Sequence, residues 1–259
     1  MRRFLSQAIV PFILSAVVPL TGCNGIFSDV YDEAEEDNDV TVSGELYIDA
    51  SSWTDWHFID LEEVAENTEI DSLYNPSSAW VTYPVPVDTI DSEGTDGIYT
   101  YWYDVFGEGL SNRESREFYP TAAQQKPDNW TFAVHRNNVM TNGCSVTATD
   151  YDSFDQLPDD ITAFASLSFD EDVWNESDVW VIQERMLLGL IGCQGIEINE
   201  TLSSWLKIDI PPMPPAFTLN SKVFILKTQE GKLAALQLKN YQSSTGTKCV
   251  LSINYRYPL

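Results

Sequence analysis

Near the end of the chain, Leu251, Ile253, Tyr255 and Tyr257 alternate with Ser252, Asn254 and Arg256. A period of two puts successive side chains on opposite faces, so this segment reads as a half-buried β-strand, stopped by Pro258. Upstream, Val223 to Lys227 and Leu233 to Leu238 flank Gln229-Glu-Gly231, the pattern of a hairpin. Trp130, Phe132 and Val134 alternate in the same way, and Tyr99 to Phe106 is a further aromatic run. Gly, Pro, Asn and Asp cut the other strand-like runs, so the body reads as all-β with many antiparallel strands. The single helix expected lies around Asn199 to Leu206, with Asn199 as its cap. Residues 62–98 are acidic, contain Pro84 and Pro86, and are expected to form a long surface excursion.

The first residues set a destination. Arg2 and Arg3 precede an apolar run from Phe4 to Val18, too short and wrongly flanked for a stable span. Leu20-Thr-Gly-Cys23 follows, the sequence of a lipoprotein processing site. Residues 1–22 are therefore expected to be a signal peptide and Cys23 the acylated residue. Residues 23–43 are expected to be a flexible tether, because Asp29, Asp32, Glu33, Glu35, Glu36, Asp37 and Asp39 repel one another. The body would span residues 44–259. The expectation is an outer-membrane protein held by lipid alone and exposed at the surface, since an acidic run after the acylated cysteine resembles a surface-export signal.

Charge excludes some partners. The formal net charge is −26, and loss of residues 1–22 removes two arginines and no acid. Nucleic acid and anionic lipid are therefore poor partners. Hydrophobic residues make up 43% of the chain, enough for a real core. After Cys23 only Cys144, Cys193 and Cys249 remain, so one disulfide is possible and the sequence does not choose it.

Enzyme motifs are absent: there is no Gly-x-Ser-x-Gly, His-Glu-x-x-His, phosphate-binding glycine loop or Cys-x-x-Cys. The expectation is a protein that is not an enzyme. The two histidines, His57 and His135, sit in strand-like surroundings and read as structural. Methionines are few: Met1, Met140, Met186 and Met213. Met213 stands in Pro211-Pro-Met-Pro-Pro215, where four fixed φ angles and four missing donors leave only a stiff extended loop. Such a loop could present a thioether to a ligand, or Met213 could fill a gap in the core. Met186, in an apolar stretch interrupted by Gly189 and Gly192, carries the same two readings.

Several blocks together resemble one family. Asp49-Ala-Ser-Ser-Trp53 with Trp56-His-Phe looks like the opening strand of the HmuY family of haem-binding lipoproteins. Trp130-Thr-Phe-Ala-Val-His-Arg-Asn-Asn-Val-Met-Thr-Asn-Gly143 resembles its central signature. Trp205-Leu-Lys-Ile with Pro214-Pro-Ala-Phe-Thr-Leu, then Lys232 to Tyr241 and Tyr255-Arg-Tyr-Pro258, resemble its later blocks. The resemblance runs from about residue 44 to 259. It implies a single HmuY-like β domain with a ligand pocket formed by loops at one end, holding one non-covalent b-type haem. It also implies a hemophore-like role in iron acquisition: haem taken from host haemoproteins and passed to a TonB-dependent outer-membrane receptor.

Members of that family hold the iron through two histidines or two methionines. His135 falls inside the signature, no histidine follows it, and Ile210 stands where the second histidine would be. The resemblance therefore implies Met186 and Met213 as the axial pair. Arg185, Lys207 and Lys222 are near in sequence and none is assigned to the propionates. The alternatives are the same scaffold with another planar ligand, or an adhesin or carbohydrate-binding module.

Overall fold

The computed structural model describes residues 41–70, 75–76, 79–90, 99–104, 115–186, 189–210 and 214–259. The signal peptide, Cys23, nearly all of the tether, and Met213 lie outside these residues. Among the described residues no helix is long and apolar enough to cross a membrane.

The architecture is all-β and antiparallel. One five-stranded sheet runs in the order β1 (Val42–Asp49), β17 (Lys248–Tyr257), β16 (Leu233–Gln242), β15 (Phe224–Lys227), β8 (Ser145–Ala148). The alternating run at the end of the chain is thus β17, paired on both sides. The expected hairpin is present: Lys227 pairs with Leu233 and Gly231 turns the chain at φ 88°, a conformation that costs glycine nothing.

A four-stranded sheet runs β3 (Trp80–Pro84), β2 (Asp55–Ile59), β6 (Phe132–His135), β7 (Asn138–Thr141). Its strands β2, β6 and β7 are buried on both faces rather than half-buried, while the edge strand β3 is largely exposed. In β6, Phe132 and Val134 join Leu46, Leu236 and Ile253 in the main core, while Ala133 joins Trp56, Phe58 and Met140 in a second cluster. The alternation survives as a choice between two cores. A buried relay pins the second cluster: Trp56 donates to Gln194 at 2.9 Å, and Gln194 donates to Gln124 at 3.1 Å. The other end of the central signature is a clamp. Thr141 donates twice to Asp172, at 2.6 and 2.8 Å, and Asn142 donates to the Trp130 carbonyl at 3.0 Å.

A third sheet runs β10 (Trp180–Ile182), β11 (Leu190–Gln194), β4 (Tyr99–Asp104), β5 (Ser115–Pro120). Two short antiparallel pairs complete the fold: β9 (Val173–Asn175) with β12 (Ile196–Ile198), and β13 (Leu206–Asp209) with β14 (Ala216–Leu219).

Two expectations need correction. The segment 62–98 is not only an excursion: it contains β3, and helix α1 (Leu61–Ile70) opens it. Asp60 caps that helix, accepting from the Glu62 amide at 3.0 Å. Only Leu61 and Val64 of α1 are buried, while Ile70 is 85% exposed, so the helix shows little apolar periodicity. The helix α2 (Glu200–Ser203) is capped by Asn199 as expected, with the Leu202 amide donating at 2.9 Å. It ends before Leu206, which pairs with Leu219 in β13.

Candidate functional site

The third sheet, the β13–β14 hairpin and the start of β17 meet in a cluster unlike the main core. Tyr103, Trp180, Ile191, Cys193, Ile208, Ile210 and Cys249 are buried there, and Trp53, Tyr101, Met186 and Phe217 pack against them half-buried. Trp53 stacks on Trp180 with ring centroids 6.4 Å apart and planes 21° apart. The cluster is therefore aromatic, contains a thioether, and is open at its margin.

Met186 arrives there through a tight turn between β10 and β11. Its amide donates to the Gln183 carbonyl at 2.9 Å, and Gly189, at φ 82°, donates back to the Met186 carbonyl at 2.9 Å. Ile210 continues from β13 into the same cluster. Asp209 pairs with Ala216, so β13 leaves the sheet pair and β14 re-enters it beside Ile210, which is buried in the cluster. Residues 187–188 and 211–213, which continue from these two segments, lie outside the described residues. Met140, by contrast, is buried in the second cluster between β6 and its neighbours.

Three cations near in sequence end in different places. Arg185 covers the Trp102 ring at 4.5 Å, beside Met186. Lys207 is exposed and paired with Asp209 at 2.7 Å. Lys222 pairs with Asp152 at 2.8 Å and leads into the outer face of the first sheet, away from Met186. The cation that sequence reasoning missed is Arg136. Its Cζ lies 4.4 Å from the Trp53 ring centroid and its Nη1 donates to the Ser51 carbonyl at 3.1 Å. Its only local signal is a basic residue in the two-residue turn between His135 and Asn138.

Both histidines are structural. His135 is fully buried, its Nε2 pairs with the Trp53 carbonyl at 2.9 Å, and its ring lies 5.2 Å from Trp56. Burial, partly opposed by that hydrogen bond, lowers its pKa to about 4. His57 is held by Thr82 at 3.1 Å and is also lowered, chiefly by burial, against the raising fields of Asp55 and Asp49. Cys144, Cys193 and Cys249 are all free and buried, so the possible disulfide is not formed among them. Burial pushes the Cys144 thiol up to about 12.

Two cavities matter. One of about 210 Å³ is lined by Asn137, Asp178, Trp180, Lys207, Ile208 and Asp209, at the edge of the aromatic cluster. A larger cleft of about 610 Å³ lies elsewhere, beside α1, and carries Asp60, Glu62, Glu63, Glu66, Asp128 and Glu230. Its charge is wrong for a carboxylated ligand, and among the described residues no group of three or more His, Cys, Asp or Glu side chains is arranged to hold a metal ion.

An all-β domain of several antiparallel sheets, with a half-open aromatic cluster between them, is the class this architecture defines. The family described as HmuY protein matches residues 52–255, and the chain belongs to that family. A Bacteroides vulgatus protein described as an HmuY-like heme binding protein is similar at 27% identity and a TM-score of 0.56, over 84% of this chain and 92% of that one. The apo form of an HmuY analog from Tannerella forsythia shares the fold at 20% identity and a TM-score of 0.58, over 85% and 98% of the two chains. A Bacteroides fragilis lipoprotein does so at 24% identity and a TM-score of 0.56, over 86% and 92%. No curated protein matches the chain.

Proposed function

We propose that this protein is a haem-binding lipoprotein that holds one b-type haem non-covalently beside Met186, with Met186 and Met213 as its axial ligands. The observation that carries the reading is that Met186 and Ile210, which directly precedes the proline-rich run of the sequence, meet in one aromatic cluster. A flat macrocycle suits such a surface. Trp53 and Tyr101 are half-buried rings of the cluster, and a half-buried thioether is a soft, neutral donor. Bound haem would supply an iron centre whose ferrous state two thioethers favour. Chain connectivity helps: Met213 is one residue from Pro214 and three from Ile210, a separation of at most about 10 Å along the backbone.

The role is that of a carrier, not a catalyst. The chain takes haem from host haemoproteins at the cell surface and delivers it to a TonB-dependent outer-membrane receptor. Acylated Cys23 and the acidic tether keep the domain at the outer membrane while leaving it free to reach both partners. The Bacteroides vulgatus and Bacteroides fragilis relatives support the ligand and the anchor respectively. A carbohydrate-binding module is less well supported: among the described residues the exposed aromatics Tyr47 and Trp174 stand on separate sheets.

Titration of the purified protein with haem under dithionite tests the reading. A sharpened, shifted Soret band is expected, weakened by Met186→Ala and by Met213→Ala and unchanged by Met140→Leu. Wild-type behaviour of both ligand variants would remove the ligand assignment. A flat titration would remove haem as the cargo.

A further inference from the structure

Trp174, at 44%, is the most exposed tryptophan among the described residues, yet its ring is held in place. Its Nε1 donates to one oxygen of Glu176 at 3.2 Å, and the Tyr103 hydroxyl donates to the other, also at 3.2 Å. Gly195 packs against its six-membered ring. A Cβ at that position would come within 2.8 Å of Trp174 and 2.7 Å of Tyr101, so any side chain there would displace the rings. A large ring fixed by its own chain and left in water has the character of a contact anchor, not of a core residue.

The strand register sets a second carboxylate beside it. Trp174 in β9 pairs directly with Glu197 in β12, so the two side chains leave the same face. Glu197 is exposed, and among the described residues neither it nor Glu176 has a basic partner. Elsewhere the chain covers its rings with its own cations: Arg136 lies over Trp53, Arg185 over Trp102 and Lys126 over Trp130. Trp174 has two carboxylates beside it and no such cation. It lines neither of the two cavities, so what it offers is open surface, reached by a protruding side chain.

We infer that the β9–β12 surface is a docking point for a protein partner, with an arginine of that partner stacked on Trp174 between Glu176 and Glu197. This inference stands independently of the haem reading. A guanidinium is planar, so it stacks on an indole while its edge donates to a carboxylate, which an ammonium does less well. A formal net charge of −26 draws a basic surface toward the chain, and the Trp174 site gives it a fixed point of contact. Because Glu176 is bonded to Tyr103, a buried member of the Met186 cluster, the docked partner stands beside the candidate site.

The test follows the indole N–H resonances of the eight tryptophans in the nitrogen-labelled protein, with Trp174→Phe identifying the one of interest. The probe is the blocked tripeptide acetyl-Gly-Arg-Gly-amide. It should shift the Trp174 resonance saturably, while the same peptide with neutral citrulline should not. Glu176→Gln and Glu197→Gln should each weaken binding about threefold, the scale of one exposed charged contact. Glu45→Gln, which removes a charge from β1 on another sheet, should leave it unchanged. A Trp174 resonance that does not move would overturn the inference. So would an equal response to citrulline, equal losses in all three glutamine variants, or a uniform shift of every indole, each of which would mark diffuse attraction to an acidic protein. Clearly tighter binding of free L-arginine than of the tripeptide would also overturn it, since the site would then take a small molecule.

Discussion

The main core and the Met186 cluster are built on different terms. The main core closes between two sheets: Leu46, Ile48, Phe132, Trp205, Phe224, Leu236, Leu251 and Ile253 are all completely buried, and a polar clamp through Thr141 and Asp172 lies beside it. The Met186 cluster mixes rings, thiols and a thioether, leaves four large side chains half-buried, and borders a cavity and a buried cation. A closed core gains most from water exclusion and has nothing left to offer a ligand. A half-open aromatic cluster retains unspent contact area. The contrast teaches where in this fold stability resides and where binding can.

The contrast breaks down if the two regions respond alike to truncation. Phe132→Ala should destabilise the protein most, by about 3–5 kcal/mol, because the ring fills space between two sheets that cannot collapse onto the void. Chemical denaturation with an unchanged slope would measure it. A loss under ~1 kcal/mol would mean that the core is looser than its burial indicates.

Acid probes the seam between the regions. His135 is neutral and fully buried beneath Trp53, with its pKa depressed from 6.5 to about 4. The unfolded chain therefore takes up this proton first. The stability contribution is complete above pH 6.5, declines as pH falls from 6.5, and is lost below about 4. The full loss is about 3 kcal/mol for this one group. His57 shifts in the same direction and adds to it. His135→Gln should flatten this part of the profile, and an equally steep profile in that variant would assign the acid sensitivity to other groups.

The smallest effect on stability is expected at the open cluster. Met186→Ala should cost about 1 kcal/mol or less, since the side chain is only half-buried. Its effect on haem affinity should be far larger than its effect on folding. Similar losses in both would make Met186 a packing residue and dissolve the distinction between the two regions.

Much of the fold was legible because a period of two survives in the sequence. The β15–β16 hairpin is marked by Gly231, and β17 by its alternation and by Pro258. The cap at Asn199 was legible from residue type. Helix α1 was not, because only its first turn packs on the core and acids occupy the rest. The two-sided burial of β6 was not, because the second face of that strand is small at Ala133 and needs Trp56 and Phe58 from β2 to cover it. Met186 was singled out by scarcity and resemblance, and its aromatic neighbours come from β4, β10 and the segment before β2. Arg136 escaped notice for the same reason: its isolation from carboxylates exists only once distant Trp53 and Ser51 enclose it.

The most direct measurement is a crystal structure of the protein with haem, with the iron located by its anomalous scattering. The account predicts one iron beside the Met186 sulfur, over the Trp180 and Ile208 surface. Iron in the acidic cleft beside Glu62 and Glu63, or bound with Met186 turned away from it, would contradict the account.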